Sequence, residues 1–212
     1  MILCVALAVP ARAEPFVFRV SPRTDDDMAD AVFVGDSMVD DLEMLNIFPT
    51  ANFVCRIGMS PLSVGRRQFR VRGSNELETT YQQIRRYGPK KIYILLGSNS
   101  LDNKNSELAL VDYRNMLDEF IREFPGVRIF VISPPPMTRE RMKKELGIYP
   151  RRFMNFEAGL RALCAELALG YIDLYHLVSD EEGYMTMHYA APDGYHMNIN
   201  AYQALRELIL KR

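Results

Sequence analysis

Short apolar runs alternate along the chain with longer segments of helical periodicity. Each run is rich in Val, Ile, Phe or Tyr and lacks strict apolar–polar alternation, which is typical of strands buried on both faces. The runs cover residues 31–34, 52–55, 91–96 and 127–132, with residues 171–174 as a fifth candidate. This pattern predicts a sheet of about five strands, with both faces covered.

The segments between the runs predict the covering helices. In one of them, apolar residues fall on one face at helical spacing, and Pro125 with Gly126 ends the helix. The residues of this face are Leu110, Tyr113, Leu117, Phe120, Ile121 and Phe124. A second helix is predicted over residues 151–169 and is closed by Gly170.

The last predicted helix begins near Asn200, and Gln203 stands three residues on, as in a capping box. Its expected buried positions are Tyr202, Leu205, Leu208 and Ile209. Strands and helices that alternate this regularly imply right-handed crossovers and a parallel sheet. We therefore expect an α/β sandwich of three layers, with functional loops beyond the carboxyl ends of the strands.

The N-terminal segment is expected to lie outside this fold. Residues 1–13 read MILCVALAVPARA and close on the small-x-small pattern of a secretory cleavage site. They lack preceding positive charges and are too short to span a bilayer as written. We interpret them as a signal peptide or an anchor remnant, which favours an extracytoplasmic location; an apolar segment packed on the domain is the alternative. Residues 14–30 are then a lead-in, and residues 31–212 form the functional domain.

Composition and charge restrict the classes of function that fit this chain. The chain has 212 residues, of which 48% are hydrophobic and 25% are charged, as expected for one domain with a real core. Lys plus Arg (26) nearly balance Asp plus Glu (27), so no basic excess is available to bind nucleic acid. Cys4, Cys55 and Cys164 form neither a metal-type pair nor a disulfide framework. A single Cys55–Cys164 disulfide stays open.

The first apolar run ends in Gly35-Asp36-Ser37. A helix predicted to start around residues 39–42 would point its backbone N–H groups at this turn and favour negative charge there. Ser37 is a candidate nucleophile, although a serine at such a position is often only a helix N-cap. The Gly-x-Ser-x-Gly elbow is absent because Val39 replaces its second glycine.

A serine nucleophile needs a base, and the chain has three histidines. His196 has the best setting, since Asp193 lies three residues upstream and can orient the imidazole across one turn. His176 follows a strand-like segment and fits a structural role equally well. His188 lies in a stretch rich in Met and Tyr, where a packing or substrate-wall role is more natural.

Acyl transfer also needs donors for an oxyanion, and two further loops offer them. Gly58 follows the second predicted strand and can present a backbone N–H without a side chain in the way. Asn99 follows the third and can present a side-chain amide. Each also fits an ordinary turn.

Four blocks together resemble the signature blocks of the SGNH (GDSL-type) hydrolase family: Gly35-Asp36-Ser37, Gly58, Gly97-Ser98-Asn99 and Asp193-Gly194-Tyr195-His196. The resemblance implies a flavodoxin-like sandwich and ester hydrolysis through an acyl-serine. It implies Ser37 as nucleophile, His196 as general base and then acid, and Asp193 as the orienting carboxylate. It also implies an oxyanion hole made of the Ser37 and Gly58 N–H groups and the Asn99 amide, with no metal or organic cofactor.

The blocks depart from the family pattern at three places. Met38 replaces the usual leucine, which packing should tolerate. Asn99 is followed by Ser100 instead of the usual aspartate, so a hydrogen bond that steadies the loop is lost or is supplied by Asp102. Ile57 stands where an asparagine often precedes the glycine of the second block.

Three alternatives remain beside serine ester hydrolysis. A metal hydrolase would use His176, His188, His196, Asp173 and Asp193. No two of these histidines have the His-x-x-x-His spacing of a helical zinc site. A non-catalytic module could bind phosphate at the first loop, but Asp36 opposes an anion there and the glycine-rich run is missing. Acyl transfer to a sugar would use the same triad as hydrolysis.

The substrate is the least determined feature. Residues 134–150 follow the fourth strand and are expected to line the pocket rim, either as a lid or as a plain surface insertion. The favoured substrate is a small acyl ester, such as an acetyl group on a carbohydrate. Acyl chain length, transfer against hydrolysis and oligomeric state stay open.

Overall fold

The computed structural model describes residues 24–101, 105–144 and 150–211. Its strands are β1 Ala31–Gly35, β2 Asn52–Cys55, β3 Gln68–Arg70, β4 Leu77–Thr79, β5 Lys91–Leu95, β6 Arg128–Ile132 and β7 Gly170–Ile172. Its α-helices are α1 Ser37–Met44, α2 Thr80–Arg85, α3 Ser98–Leu101, α4 Ser106–Glu123, α5 Arg139–Lys144, α6 Pro150–Glu166, α7 Leu174–Val178 and α8 Ile199–Leu210. A 3-10 turn, Asp25–Met28, precedes β1.

Five strands form one parallel sheet in the order β2-β1-β5-β6-β7. Without the separate β3-β4 hairpin, this is the order 2-1-3-4-5 of flavodoxin-like sheets. Val34 of β1 pairs with Val54 on one side and with Ile94 on the other. The predicted parallel sheet of about five strands is confirmed. Because the strand order reverses between β1 and β5, the ligand crevice is expected beyond the carboxyl ends of these two strands.

Alternate residues of the strands point into two apolar layers. Val32 and Val34 pack in the layer formed with α2, α4 and α6. Ala31 and Phe33 pack in the layer formed with α1, α7 and α8. The fold is therefore a three-layer α/β/α sandwich, as predicted, and burial of both strand faces explains the unbroken apolar runs.

Some predicted boundaries are wrong by a few residues. The helix predicted to end at residue 169 ends at Glu166, because Ala168 adopts a φ of +54° and Gly170 begins β7. The fifth strand stops at Ile172, since the Asp173 side chain caps α7 instead of extending the strand. The first helix begins at Ser37 rather than near residue 39.

The start of α8 is also corrected. The N-cap is Asn198, whose side chain accepts the backbone N–H groups of Asn200 and Ala201. Gln203 lies beyond the first turn, so the capping box predicted there is wrong. Leu208 is half-buried, while the other predicted core positions of this helix are buried.

The β3-β4 hairpin and α2 were not predicted. Each hairpin strand has only three residues, too few for a recognisable alternation. The signal for α2 was present, because Thr79 and Gln82 form a capping box. The Gln82 N–H donates to Thr79 Oγ1 at 3.3 Å, and the Thr79 N–H donates to Gln82 Oε1 at 2.8 Å.

The two described cysteines lie on opposite faces of the sheet. Cys55 packs in the layer of α1 and Cys164 in the layer of α6, and both thiols are free. The disulfide left open by the sequence therefore does not form in this fold. Cys4, the segment 1–13 and most of the lead-in lie outside the described residues. Among the helices described, none combines the length and apolarity needed to cross a bilayer.

Candidate active site

Three of the predicted site residues follow adjacent strands of the sheet. Ser37 comes directly after β1, Gly58 lies in the loop after β2, and Asn99 lies in α3 just after β5. Since β1 runs between β2 and β5, the other two loops flank Ser37 on either side. Parallel strands thus bring distant parts of the chain to one edge.

The turn from β1 into α1 is tight. A Cβ on Gly35 would overlap the Leu95 carbonyl oxygen, so only glycine fits there. Asp36 is the N-cap and accepts the Met38 N–H at 3.1 Å. Ser37 is therefore the first helical residue rather than the cap, and the N-cap interpretation of Ser37 is wrong. Its backbone N–H is one of the first-turn groups that have no acceptor within a helix.

Ser37, His196 and Asp193 form a continuous hydrogen-bonded series. Ser37 Oγ lies 3.1 Å from His196 Nε2, although 159 positions separate the two residues. His196 Nδ1 lies 2.6 Å from Asp193 Oδ2. The other carboxylate oxygen, Oδ1, accepts the backbone N–H groups of Tyr195 at 3.0 Å and His196 at 2.9 Å. The three side chains meet in the order that the sequence predicts.

The charge of Asp193 decides how protons are arranged in this series. Burial alone would raise its pKa, but the hydrogen bonds from the His196 ring and from the Tyr195 and His196 N–H groups outweigh burial and lower the pKa to about 2. An ionised carboxylate only accepts hydrogen bonds, so Nδ1 must carry the ring proton. Nε2 is then the acceptor that faces the Ser37 hydroxyl.

Backbone hydrogen bonds hold the loop that carries the imidazole. The Ala191 N–H donates to the His196 carbonyl at 2.8 Å, which closes the turn around Asp193. The Thr138 N–H donates to the Gly194 carbonyl at 2.9 Å and joins this turn to the segment before α5. Immediately after the turn, the Asn198 side chain caps α8. Hydrogen bonds to the segment before α5 and the cap of α8 thus hold the loop that carries His196 on two sides.

The two remaining predicted oxyanion donors differ in setting. Gly58 has a φ of +74°, and a Cβ there would meet nothing within 4 Å, so glycine is favoured by conformation rather than by space. Asn99 Nδ2 donates to Asp36 Oδ2 at 2.8 Å and to the Met59 carbonyl at 3.2 Å. Both amide hydrogens are engaged, so binding of a further acceptor at Nδ2 requires reorientation or sharing of one hydrogen.

Asp36 is a site residue whose role the sequence analysis missed. Its side chain is 2% exposed and links the start of α1 to Asn99. Burial raises its pKa to about 6, against the opposing effect of the hydrogen bonds from Met38 and Asn99. The Gly-Asp-Ser motif contained the signal, but the partner lies 63 positions away and is recognisable only in the fold.

The other two histidines lie outside the series. His176 Nδ1 lies 3.0 Å from Asp173 Oδ1, beside Arg161 and after the edge strand β7. His188 is exposed, and its carbonyl accepts the Asn198 side-chain amide at 2.9 Å. Among the described residues, the groups close enough to share an ion are Asp40-Glu43-Cys55 and Glu157-Asp173-His176. Neither group has two histidines, so the residues of the metal alternative are not gathered at one place.

A family model gives the decisive comparison for this arrangement. The model of the GDSL-like lipase/acylhydrolase family matches residues 33–204. The chain belongs to this family. The resemblance inferred from the four blocks is thereby confirmed, and this GDSL-family protein is an enzyme of the carboxylic ester hydrolase class.

Solved structures share the GDSL-family fold. A GDSL-like lipase from Bacteroides thetaiotaomicron has a TM-score of 0.66 at 14% identity, covering 90% of this chain and 89% of that chain. A lipase/acylhydrolase from Enterococcus faecalis has a TM-score of 0.60 at 18% identity, covering 85% and 93%. A carbohydrate acetylesterase family member from Sinorhizobium meliloti has a TM-score of 0.56 at 16% identity, covering 85% and 95%. At these identities the similarity shows the fold alone. Among curated proteins, no match to this chain was found.

Proposed function

We propose that this enzyme is a serine esterase that hydrolyses short-chain acyl esters, with acetyl preferred, through an acyl-serine intermediate. The observation that carries the proposal is the 3.1 Å contact between Ser37 Oγ and His196 Nε2, within hydrogen-bond reach for proton transfer. Asp193 completes the series on the far side of the ring.

In the acylation step, Ser37 Oγ attacks the ester carbonyl carbon while His196 Nε2 takes the hydroxyl proton. The carbonyl electrons move onto the oxygen and form a tetrahedral oxyanion. When this intermediate collapses, the bond to the alcohol oxygen breaks and Nε2 returns its proton to that oxygen. Asp193 stays ionised and stabilises the transient imidazolium.

In the deacylation step, water replaces the alcohol. His196 Nε2 takes a proton from water as the water oxygen attacks the acyl-serine carbonyl. When the intermediate collapses, Nε2 gives that proton to the departing Ser37 Oγ. The carboxylic acid is released and the hydroxyl is restored. The His196 and Asp193 side chains are 35% and 45% exposed, so water can reach these groups, as hydrolysis requires.

The oxyanion is assigned to three donors on adjacent loops: the Ser37 N–H, the Gly58 N–H and the Asn99 amide. Two of them are backbone N–H groups: Ser37 is the first residue of α1, and Gly58 lies in the loop after β2. Asn99 is held beside Ser37 by Asp36, its hydrogen-bond partner at 2.8 Å. Each such donor is worth on the order of 3 kcal/mol of transition-state stabilisation.

The short acyl chain and the carbohydrate alcohol are both inferred from one structural neighbour. The Sinorhizobium meliloti protein that shares this fold is a carbohydrate acetylesterase family member, and this name gives acetyl as the acyl group and a carbohydrate as the alcohol.

An extracytoplasmic location is part of the proposal. It is supported by the pattern of residues 1–13, which close on Ala11-Arg12-Ala13. Cell fractionation of a C-terminally tagged chain, with N-terminal sequencing of the product, tests it. Recovery of the uncleaved chain in the cytoplasm would contradict this location.

The test of the reaction is hydrolysis of p-nitrophenyl acetate, butyrate, octanoate and palmitate by the wild type and by Ser37→Ala. We expect the highest kcat/KM with acetate and a near-complete loss in the variant. Preference for palmitate would contradict the short-chain assignment. Unchanged turnover in Ser37→Ala would remove the nucleophile.

A further inference from the structure

The loop after β2 begins with a tight turn at residues 56–59. The Met59 N–H donates to the Arg56 carbonyl at 2.9 Å, which closes these four residues into a β-turn. Gly58, the third residue, has a φ of +74°, whereas Ile57 does not have a positive φ. A positive φ at the third position alone is the mark of a type II turn. In this type, the peptide between Ile57 and Gly58 has the reverse of its orientation in the commoner type I turn.

Both ends of this turn are held by neighbouring segments. The Arg56 N–H donates to the Gly35 carbonyl at 3.1 Å, two residues before Ser37. At the other end, the Met59 side chain is buried, and the Met59 carbonyl accepts Asn99 Nδ2 at 3.2 Å. The ends of the turn are therefore tied to the segments that carry the nucleophile and the side-chain oxyanion donor.

The central peptide of the turn lacks such support. The Ile57 side chain is 81% exposed, and a Cβ on Gly58 would meet nothing within 4 Å. Among the residues that the structure describes, neither the Ile57 carbonyl nor the Gly58 N–H has a hydrogen-bond partner. No hydrogen bond to this part of the chain therefore opposes rotation of the central peptide between the fixed ends of the turn.

Rotation of this peptide would change what the turn offers to an oxyanion. The Gly58 N–H is one of the donors assigned to the oxyanion of the ester. A change from type II to type I turns the central peptide by about 180° and leaves the ends of the turn in place, so the Gly58 N–H and the Ile57 carbonyl exchange directions. A carbonyl oxygen would repel the oxyanion where the N–H stabilises it. Glycine suits both turn types because it adopts either sign of φ.

We propose that the Ile57–Gly58 peptide is a two-position element of the oxyanion hole, active in the type II turn and inactive in the type I turn. This inference rests on the proposed ester hydrolysis at Ser37 and concerns the regulation of that site. The tetrahedral oxyanion accepts the Gly58 N–H only in the type II state, so it stabilises that state over the other. Because activity follows the fraction of enzyme in the active state, a residue 58 that disfavours a positive φ lowers kcat/KM.

Substitutions at Gly58 separate turn conformation from side-chain size. Alanine is small but disfavours a positive φ, whereas asparagine is larger and tolerates it. With p-nitrophenyl acetate, we expect kcat/KM to fall by about tenfold in Gly58→Ala and by no more than about threefold in Gly58→Asn. Gly58→Val should be the least active, because a β-branched residue tolerates a positive φ least. Higher activity of Gly58→Ala than of Gly58→Asn would show that size decides and would overturn the proposal.

Gly73→Ala is the matched control, since Gly73 also has a φ of +74° and a Cβ there would meet nothing within 4 Å. Gly73 lies between β3 and β4, so this variant should keep the wild-type kcat/KM. An equal loss of activity in Gly73→Ala and Gly58→Ala would overturn the proposal, because the loss would then come from strained turns in general.

A crystal structure of the Gly58→Ala variant gives the direct readout. We expect a negative φ at position 58, with the hydrogen bonds at both ends of the turn retained. A positive φ at this position would show that the peptide does not change orientation and would overturn the two-position element. Absence of p-nitrophenyl acetate hydrolysis by the wild type would instead overturn the proposed function itself.

Discussion

One carboxylate orients both the ring of His196 and the turn that carries it: Asp193 Oδ2 lies 2.6 Å from His196 Nδ1, while Oδ1 accepts the His196 backbone N–H at 2.9 Å. The ring and its loop are therefore positioned together. A change at Asp193 should act on the imidazole more than on the fold, because the side chain is 45% exposed.

Asp193→Asn tests this arrangement. The amide keeps an oxygen for the backbone N–H groups, but it presents a neutral group to His196 Nδ1. The ring is then no longer held in the tautomer that carries its proton on Nδ1 and accepts at Nε2. We expect kcat/KM to fall by about 10³- to 10⁴-fold in the p-nitrophenyl acetate assay.

Asp180→Asn is the matched control for this substitution. Asp180 Oδ1 also accepts two backbone N–H groups, those of Glu182 and Tyr184, each at 3.0 Å. This variant should retain activity. Similar losses in the two variants would indicate that turn geometry, and not the pairing with His196, is what Asp193 contributes.

Asn99→Ala removes one proposed oxyanion donor. Since this contact is strongest in the transition state, kcat should fall by about 10²- to 10³-fold with little change in KM. Asn105→Ala is the comparison, because the Asn105 side chain caps α4. This variant should lose about 1 kcal/mol of stability and keep its activity. A rise in KM with unchanged kcat in Asn99→Ala would assign the amide to ground-state binding instead.

Asp36→Asn tests the buried carboxyl. Its pKa is raised by burial to about 6, above the value near 4 of an unfolded aspartate. The protonated carboxyl therefore contributes stability at low pH, and this contribution is lost as pH rises from about 4 to about 6. Asparagine stays neutral, so the free energy of unfolding of the variant relative to the wild type should rise by up to about 3 kcal/mol between pH 4 and pH 8.

Urea unfolding of both proteins across this pH range provides the measurement. Asn99 would face an amide instead of a carboxylate in Asp36→Asn, so kcat should fall even where the variant is the more stable protein. Parallel pH profiles of stability for the two proteins would show that Asp36 does not titrate in this range.

Gly194→Ala tests the contact between the loop that carries Asp193 and His196 and the segment before α5. Gly194 has a φ of +71°, and a Cβ there would overlap Thr138 Oγ1. Gly73→Ala is matched in backbone conformation, with a φ of +74°, but its Cβ would meet nothing within 4 Å. Both variants should lose about 1 kcal/mol of stability from backbone strain, and Gly194→Ala should lose more because its Cβ also displaces the Thr138 side chain.

Only Gly194→Ala should also lower kcat/KM, by tenfold to about a hundredfold, because the imidazole moves with its loop. Thermal unfolding and the p-nitrophenyl acetate assay separate the two effects. Full activity in Gly194→Ala would mean that the loop adapts without moving the ring.

The sequence predicted what depends on local patterns. The apolar run at residues 91–96 contains β5, all five residues of which are buried, so the missing apolar–polar alternation marks a strand covered on both faces. Asp193 and His196 are three residues apart, so one turn brings them together. The family blocks then indicated which serine and which amide to expect nearby.

The remaining features depend on contacts that the chain makes over long distances. Asn198 and Asn200 are both suitable helix caps by residue type, and in the fold the N-cap is Asn198. The link from Asp36 to Asn99 requires β1 and β5 to be neighbours. The β3-β4 hairpin has too few residues for a local signal.

Covalent labelling with a p-nitrophenyl dialkyl phosphate, followed by peptide mapping by mass spectrometry, identifies the nucleophile itself. We expect one added dialkylphosphoryl group on the peptide containing Ser37, loss of esterase activity in proportion to labelling, and no labelling of Ser37→Ala. Labelling of a different residue with parallel loss of activity, or labelling that persists in Ser37→Ala, would contradict the assignment of Ser37 as the nucleophile.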